Sequence, residues 1–272
     1  LAWMERREFA HYTVKDWIDV SKLGVIGNIA YYWCLIECIQ NAGVPVAGMA
    51  MSAVPVLVAA VSNIRDKKKG TALAWSRLVP GLTLIVCGFA LASMTEFEMV
   101  VQASADGGLK FWYGVMMAVA ALLIWTWYPI RNADWLLAHP DRSPRAWSTA
   151  QGLTTFPFAV VMYFFFWWLE PDATPLLGYD PAWFVFVMVF SGLMGSWVGI
   201  VFWNAMSQRL PTALAGQMIV FETIFAVTYA HVLRMQWPEW NMFAGMALLL
   251  SGVMLSLKVF QTAKAQRRSE SV

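Results

Sequence analysis

Two carboxylates lie inside otherwise apolar stretches of the sequence, and they are the side chains best placed to do chemistry there: Glu37 and Glu222. A charged side chain at the centre of a bilayer costs about 2.5–3.5 kcal/mol on insertion scales, so such a group normally faces a partner or a water-filled cavity. Desolvation penalises the charged form, which would let Glu222 exchange a proton near neutral pH. The alternative role for each carboxylate is a hydrogen bond that fixes helix packing. Gln217 lies about 140° from Glu222 on a helical wheel, which predicts different faces.

Aromatic and amide side chains recur at helical spacing near these carboxylates or in another apolar stretch. Trp33 and Asn41 share a helical face with Glu37. Trp197, Asn204 and Gln208 follow one another at i, i+7 and i+11, which places them on one stripe. The stripe could line a cavity or bond to a neighbouring helix, and both readings stay open. The candidate substrate-binding or coupling residues are Glu222, Glu37, Trp33, Trp197 and Asn204.

The sequence lacks the patterns that intramembrane enzymes and metal sites require. Its three histidines are too far apart for a His-Glu-x-x-His zinc motif, and neither a Gly-x-Ser-x-Gly elbow nor a pair of intramembrane aspartates occurs. The three cysteines fall within apolar segments and are expected to be core residues. We therefore predict no catalytic residue, no metal and no cofactor. An intramembrane enzyme remains the less favoured alternative, and a non-transporting scaffold or receptor stays open.

Composition requires a lipid environment. Of 272 residues, 59% are hydrophobic and 13% charged, with a mean hydropathy of +0.55, whereas soluble domains carry about 25% charged residues. The net charge of +2 is too small to suggest a nucleic-acid partner. Eight stretches are long and apolar enough to span a bilayer, which predicts an all-α polytopic helical bundle. They are residues 23–41, 44–63, 78–94, 111–130, 149–169, 182–206, 211–233 and 242–260.

The loop charges support this count independently of hydropathy. Of the 19 Lys and Arg residues, all but Lys110 and Arg234 fall in the termini and alternate loops that eight spans place on one side. Because Lys and Arg are retained in cytoplasmic loops, we expect that side and both ends of the chain to be cytoplasmic.

A weak internal repeat relates the two parts of the chain. The stretch from Gly81 to Leu91 matches that from Gly245 to Leu255, including a second glycine seven residues after the first, and a proline-marked entry near Pro45 matches one near Pro211. The second repeat would have five helices and the first only three. We therefore predict a partial first repeat at 1–94, a complete second repeat at 111–260 and a cytoplasmic tail at 261–272, with two further helices expected upstream.

The chain resembles the drug/metabolite transporter superfamily, EamA type, over nearly its whole length. The resemblance is carried by Ala213-Leu-Ala-Gly-Gln-Met-Ile-Val-Phe-Glu222-Thr-Ile-Phe-Ala226, similar to a small-residue run that ends in Leu-Glu-Pro in the family. Thr223 stands where the family usually has Pro. The first-half counterpart keeps Pro55 but has Val54 at the Glu position.

This resemblance implies ten helices in two five-helix repeats and export of small metabolites, amino acids among them. Because transporters bind substrate near the bilayer midplane, we expect the candidate residues to line a central cavity between the repeats. The expected partners are a small-molecule substrate, the lipid bilayer and, in the coupled alternative, protons. The expected location is a bacterial inner membrane, and both a monomer and a homodimer are compatible with the sequence.

Overall fold

All the regular structure that can be described in this chain is helical. The computed structural model describes residues 2–68, 72–106, 108–169, 175–235, 237 and 239–270. Two helical stretches, Val25–Ala30 and Ser191–Val198, are π-helical. The α-helices are α1 (Arg6–Phe9), α2 (Val14–Gly24), α3 (Tyr31–Ala42), α4 (Val44–Ser52), α5 (Val54–Lys68), α6 (Trp75–Ala92), α7 (Met94–Asp106), α8 (Gly108–Ala138), α9 (Pro144–Leu169), α10 (Pro181–Phe190), α11 (Gly199–Ser207), α12 (Thr212–Gln217), α13 (Ile219–Arg234) and α14 (Trp240–Glu270).

Eight helical stretches of the described chain are long and apolar enough to cross a membrane, which confirms the predicted fold class. They are Val14–Ala42, Val44–Lys68, Trp75–Ala92, Gly108–Ala138, Pro144–Leu169, Pro181–Ser207, Thr212–Leu233 and Trp240–Ala263. The first begins nine residues before its predicted start at residue 23. A capping box explains the extension, because Asp16 accepts a hydrogen bond from the Thr13 amide at 2.8 Å and the Thr13 hydroxyl accepts one from the Asp16 amide at 3.3 Å.

Helix α7 is a feature that the sequence reading did not predict. It follows the third span after a single residue, and its hydrophobic positions are too few for a membrane span. Val100 and Ala103 nevertheless pack against a buried cluster that includes Ala47 and Phe111. Tertiary contact with α4 therefore stabilises this helix. The predicted tail at 261–272 is helical through Glu270, and residues 271 and 272 lie outside the described part.

The chain divides into two compact units. Unit 1 comprises residues 1–31 and 131–209, and unit 2 comprises residues 32–130 and 210–272. In unit 1, the first half of α9 is buried and packs against α2 and α11. Compact units group residues by contact whereas repeats group them by sequence, so the repeat boundaries stay a prediction.

Paired glycines bring α6 and α14 together in unit 2. A Cβ atom built on Gly81 would lie 3.0 Å from the carbonyl oxygen of Gly252, and one built on Gly88 would lie 2.8 Å from that of Gly245. The contact order runs in opposite directions along the two helices, so they are antiparallel. Sequence matching pairs Gly81 with Gly245 and Gly88 with Gly252, and the contacts exchange these partners. Antiparallel packing of two matched segments requires this exchange.

Two spans of unit 2 are interrupted at matching points. Span Val44–Lys68 changes from α4 to α5 at Ala53, whose ψ is −15°, and span Thr212–Leu233 changes from α12 to α13 at Met218, whose ψ is −18°. These residues are 165 positions apart, which lies between the separation of Gly81 and Gly245, 164, and that of Pro45 and Pro211, 166.

Candidate functional site

A network of buried amide groups joins α8, α9 and α11 within unit 1. The Asn132 Oδ1 atom accepts hydrogen bonds from Trp147 Nε1 and Gln151 Nε2, both at 2.9 Å. Asn132 Nδ2 donates to Asn204 Oδ1 at 2.7 Å, and Asn204 Nδ2 donates to Ser148 Oγ at 2.8 Å. All five side chains are buried. The amide nitrogen and oxygen of both asparagines are therefore bonded, as buried polar groups require.

An aromatic group extends this network toward the start of the chain. The Trp135 indole stacks on that of Trp147 with centroids 3.5 Å apart and planes 4° from parallel, and Trp135 Nε1 donates to Asp16 Oδ1 at 2.7 Å. Tyr12 packs against both indoles. Its hydroxyl is buried and has no hydrogen-bond partner among the described residues. Burial, with a smaller contribution from Glu8, raises the pKa of Tyr12 above its ordinary value.

The predicted stripe of Trp197, Asn204 and Gln208, on span Pro181–Ser207 and the residue after it, is hydrogen-bonded to its neighbours. Trp197 Nε1 donates to Thr149 Oγ1 at 3.1 Å, and Asn204 belongs to the amide network. Gln208 donates to carbonyl oxygens of the loop after α8 at 3.0–3.2 Å. These contacts are those of the interhelical alternative, while a substrate-binding role for Trp197 and Asn204 stays a prediction.

Glu37 lies on α3 beside two hydrogen-bonding side chains. Asn41 Nδ2 donates to Glu37 Oε2 at 3.3 Å and to the Glu37 carbonyl oxygen at 2.8 Å. Tyr113 interacts electrostatically with the Glu37 side chain. Trp33 lies one turn earlier on the same helix and is 41% exposed. The i, i+4 contact between Glu37 and Asn41 is the one that helical spacing predicts.

Glu222 occupies the middle of span Thr212–Leu233, in the first turn of α13 just after the interruption at Met218. Its side chain is exposed, and no hydrogen bond or ion pair joins it to any residue that the structure describes. Gln217, by contrast, is fully buried, in agreement with the predicted difference in face. A negative charge in the first turn of a helix is favoured by the helix dipole, but in a bilayer it still needs water or a partner.

The structure therefore brings the candidate residues together in pairs. Trp33 and Glu37 share α3, and Trp197 and Asn204 both bond to α9. Glu222 stands apart from hydrogen-bonding partners within the described chain. Sequence reasoning missed Asn132 and Gln151, although a signal existed for the second: Ser148, Gln151 and Thr155 recur at i, i+3 and i+7 in an apolar helix. Within the described residues, no three His, Cys, Asp or Glu side chains are grouped as metal ligands.

Comparisons with known proteins agree with a membrane helical bundle. The chain is 34% identical over 262 residues to inner membrane protein YtfF of Escherichia coli (strain K12), which covers 95% of this chain and 81% of that protein. A solved structure titled only as a crystal structure of a protein matches with a TM-score of 0.66 and 16% identity, over 90% of this chain and 76% of the other. The second likeness concerns the fold alone. No sequence profile of a known protein family matches the chain.

Proposed function

We propose that this chain, which belongs to the family of inner membrane protein YtfF, exports small metabolites across the membrane. Eight apolar helices and the relative together make it a multi-pass inner membrane protein. The resemblance to EamA-type permeases supports transport and amino acids as the first cargoes to test. Alternating access between two helical repeats would carry the substrate across the membrane.

One observation carries this proposal: an exposed carboxylate at mid-span, directly after an interruption of its helix. Transporters place their substrate and coupling-ion sites at discontinuous helices near the midplane, and an ionisable residue at that depth marks a functional site by default. Glu222 meets the second condition, and the helix before it is irregular at one residue, Met218, as the other span is at Ala53. Glu37 already accepts a hydrogen bond from Asn41, so Glu222 is the better candidate for coupling.

The charge pattern supports an orientation in which both ends of the chain are cytoplasmic. A single cysteine at Lys67 should then resist a membrane-impermeant thiol reagent in intact cells, whereas one at Leu109, which is 90% exposed, should react. The reverse pattern of labelling would overturn the orientation.

The proposal is tested by flux of radiolabelled amino acids into proteoliposomes across a pH series. Glu222→Gln keeps the shape and hydrogen-bonding capacity of the side chain but cannot titrate, so transport should lose its pH dependence while thermal stability stays near that of the parent. Glu239→Gln makes the same chemical change at an exposed position outside the spans and should leave the pH profile unchanged.

The same assay separates the alternatives. If Glu222 only fixes packing, Glu222→Leu should lower thermal stability and Glu222→Gln should retain full transport at every pH. Normal pH-dependent flux in Glu222→Gln would refute proton coupling. Absence of flux of any amino acid, with a folded protein, would favour the scaffold or receptor alternative.

A further inference from the structure

Within the part of the chain that the structure describes, buried polar atoms without hydrogen-bond partners occur on three neighbouring helices of unit 2. They are the amide nitrogen and oxygen of Gln217 on α12, the hydroxyl of Ser62 on α5 and the hydroxyl of Ser256 on α14. These side chains are 0%, 3% and 1% exposed. Among the described residues, Gln217 is the one whose side chain leaves both a buried donor and a buried acceptor unpaired.

The three side chains border one contact region. Each of them lies about one helical turn from a member of a shared apolar cluster. Ser62 lies three residues after Ala59 on α5, Gln217 lies four residues after Ala213 on α12, and Ser256 lies four residues before Phe260 on α14. Such spacings keep residues on the same side of a helix. The cluster joins α5, α6, α12 and α14, and its members are Ala59, Leu78, Leu82, Ala213 and Phe260. We call this set of four helices and three polar side chains the inner contact region.

Small residues form the contacts in this region. A Cβ atom on Gly216 would overlap Val58, and one on Gly81 would overlap the Ser256 hydroxyl. Helices that meet through glycine and alanine approach closely.

The inner contact region also lies on one side of both helix interruptions. Helix α5 ends in Arg65, Lys67 and Lys68, and α12 begins three residues after Arg209, so both segments belong to the basic halves of their spans. The interruptions at Ala53 and Met218 separate these halves from α4 and α13. At these two residues the helical hydrogen bonds shift locally, since the Ala53 amide donates to the Ala50 carbonyl and the Met218 amide is shared between Leu214 and Ala215, and such a residue can absorb a change in φ and ψ.

We infer that the inner contact region opens to water during the transport cycle and that Ser62, Gln217 and Ser256 line the path so formed. The inference rests on the proposed function. Closed, the region leaves four polar atoms dry and unbonded, which is unfavourable in a protein interior. Open, water or a cargo molecule can bond to them. An amide and two hydroxyls provide uncharged donors and acceptors, so the path suits neutral or zwitterionic hydrogen-bonding solutes.

The experiment uses single cysteines in a chain whose three native cysteines have been replaced by alanine. Ser62→Cys and Gln217→Cys probe the region, and Val220→Cys is the matched control, because Val220 is equally buried but belongs to an apolar cluster. The permanently charged reagent methanethiosulfonate ethyltrimethylammonium is added to the cytoplasmic face of inside-out membrane vesicles. Minor states are commonly populated at about 0.1–10%, so slow modification is expected, at least about tenfold faster at both probes than at the control.

Gln217→Met provides a second measurement that does not depend on a cysteine variant. Methionine has a similar length and no amide, so it removes both unpaired atoms and should stabilise the closed region. We expect a higher unfolding temperature than for the parent and slower modification of Ser62→Cys in the same chain. A lower unfolding temperature would show that Gln217 has a structural partner and would overturn the inference, as would modification of both probes no faster than Val220→Cys.

Amino-acid flux measured on the same variants keeps the two proposals distinguishable. If the cysteine-free chain transports amino acids but neither probe cysteine is modified, the proposed transport function is retained and the opening of this region is rejected. Modification without flux of any amino acid supports the opening and counts against the proposed function.

Discussion

Replacing Asn132 with leucine should destabilise the chain more than the same replacement of Asn28. Leucine has nearly the same volume and branching, so no large cavity results, but three hydrogen bonds are lost, to Trp147, Gln151 and Asn204. Interhelical hydrogen bonds in membranes average about 0.6 kcal/mol each, so the three give about 2 kcal/mol. If the buried Trp147 nitrogen and Asn204 oxygen stay unpaired, the loss rises to about 4 kcal/mol.

This loss corresponds to a decrease of about 5–15 °C in the unfolding temperature of a protein of this size. Thermal unfolding of detergent-purified protein, followed by circular dichroism and tryptophan fluorescence, measures it. Asn28→Leu is the matched control, because Asn28 donates one long hydrogen bond, 3.3 Å to Thr155 Oγ1, and should cost about 0.6 kcal/mol. Adding Asn204→Leu to Asn132→Leu should cost less than the sum of the single changes, since the two side chains share a bond. Equal unfolding temperatures for the Asn132 and Asn28 variants, or strict additivity, would refute the reasoning.

Three further predictions concern packing, charge and titration, each measured as unfolding free energy or temperature in detergent. Gly88→Ala should cost about 1–3 kcal/mol, because the new Cβ would lie 2.8 Å from backbone atoms of α14. In the control, Gly48→Ala, the new Cβ meets open space, so the change should be neutral or stabilising. Equal effects of the two changes would contradict the glycine contacts. Arg145→Ala should cost at least about 1 kcal/mol more than Glu5→Ala, because the Glu5 carboxylate is 4% exposed and the paired Arg145 guanidinium 49% exposed. Arg145→Ala leaves the carboxylate as a buried unpaired charge, whereas Glu5→Ala leaves a guanidinium that water can reach. The opposite order of costs would show that burial of Glu5 is unimportant. Burial raises the pKa of Tyr12 above 10.0, so the neutral hydroxyl contributes its full share of the unfolding free energy below that pH and this contribution is lost as the pH rises above it. The unfolding free energy of Tyr12→Phe should lack this alkaline decline. An alkaline profile identical to that of the parent would count against the buried hydroxyl.

Local sequence features predicted the number of membrane helices because the driving force is itself local. Each span must satisfy its backbone hydrogen bonds internally and present apolar side chains to lipid, so a window of about 20 residues contains the information. The missed element, α7, illustrates the limit. Its helicity depends on packing of Val100 and Ala103 onto a cluster formed by distant residues, and such support leaves no local pattern.

The candidate residues show the same division at the level of single side chains. Helical spacing correctly placed Asn41 next to Glu37 and separated Gln217 from Glu222. It left the partners of Asn204 open, because those partners lie 72 and 56 residues away in the chain. A wheel gives the direction of a side chain, and only the packing of other helices shows what lies in that direction.

The amino-acid sequence by itself thus determined the helical membrane class, the eight spans, the asymmetric charge and the choice of Glu37 and Glu222 as unusual intramembrane acids. These properties follow from transfer free energies that each segment carries on its own. Tertiary structure decided which polar groups found partners: both amide atoms of Asn132 and of Asn204 are bonded in unit 1, while Gln217 in unit 2 is buried without a hydrogen-bond partner among the residues that the structure describes. A hydrogen bond between helices depends on distances of a few tenths of an ångström between residues far apart in the chain, and those distances arise only when the helices pack.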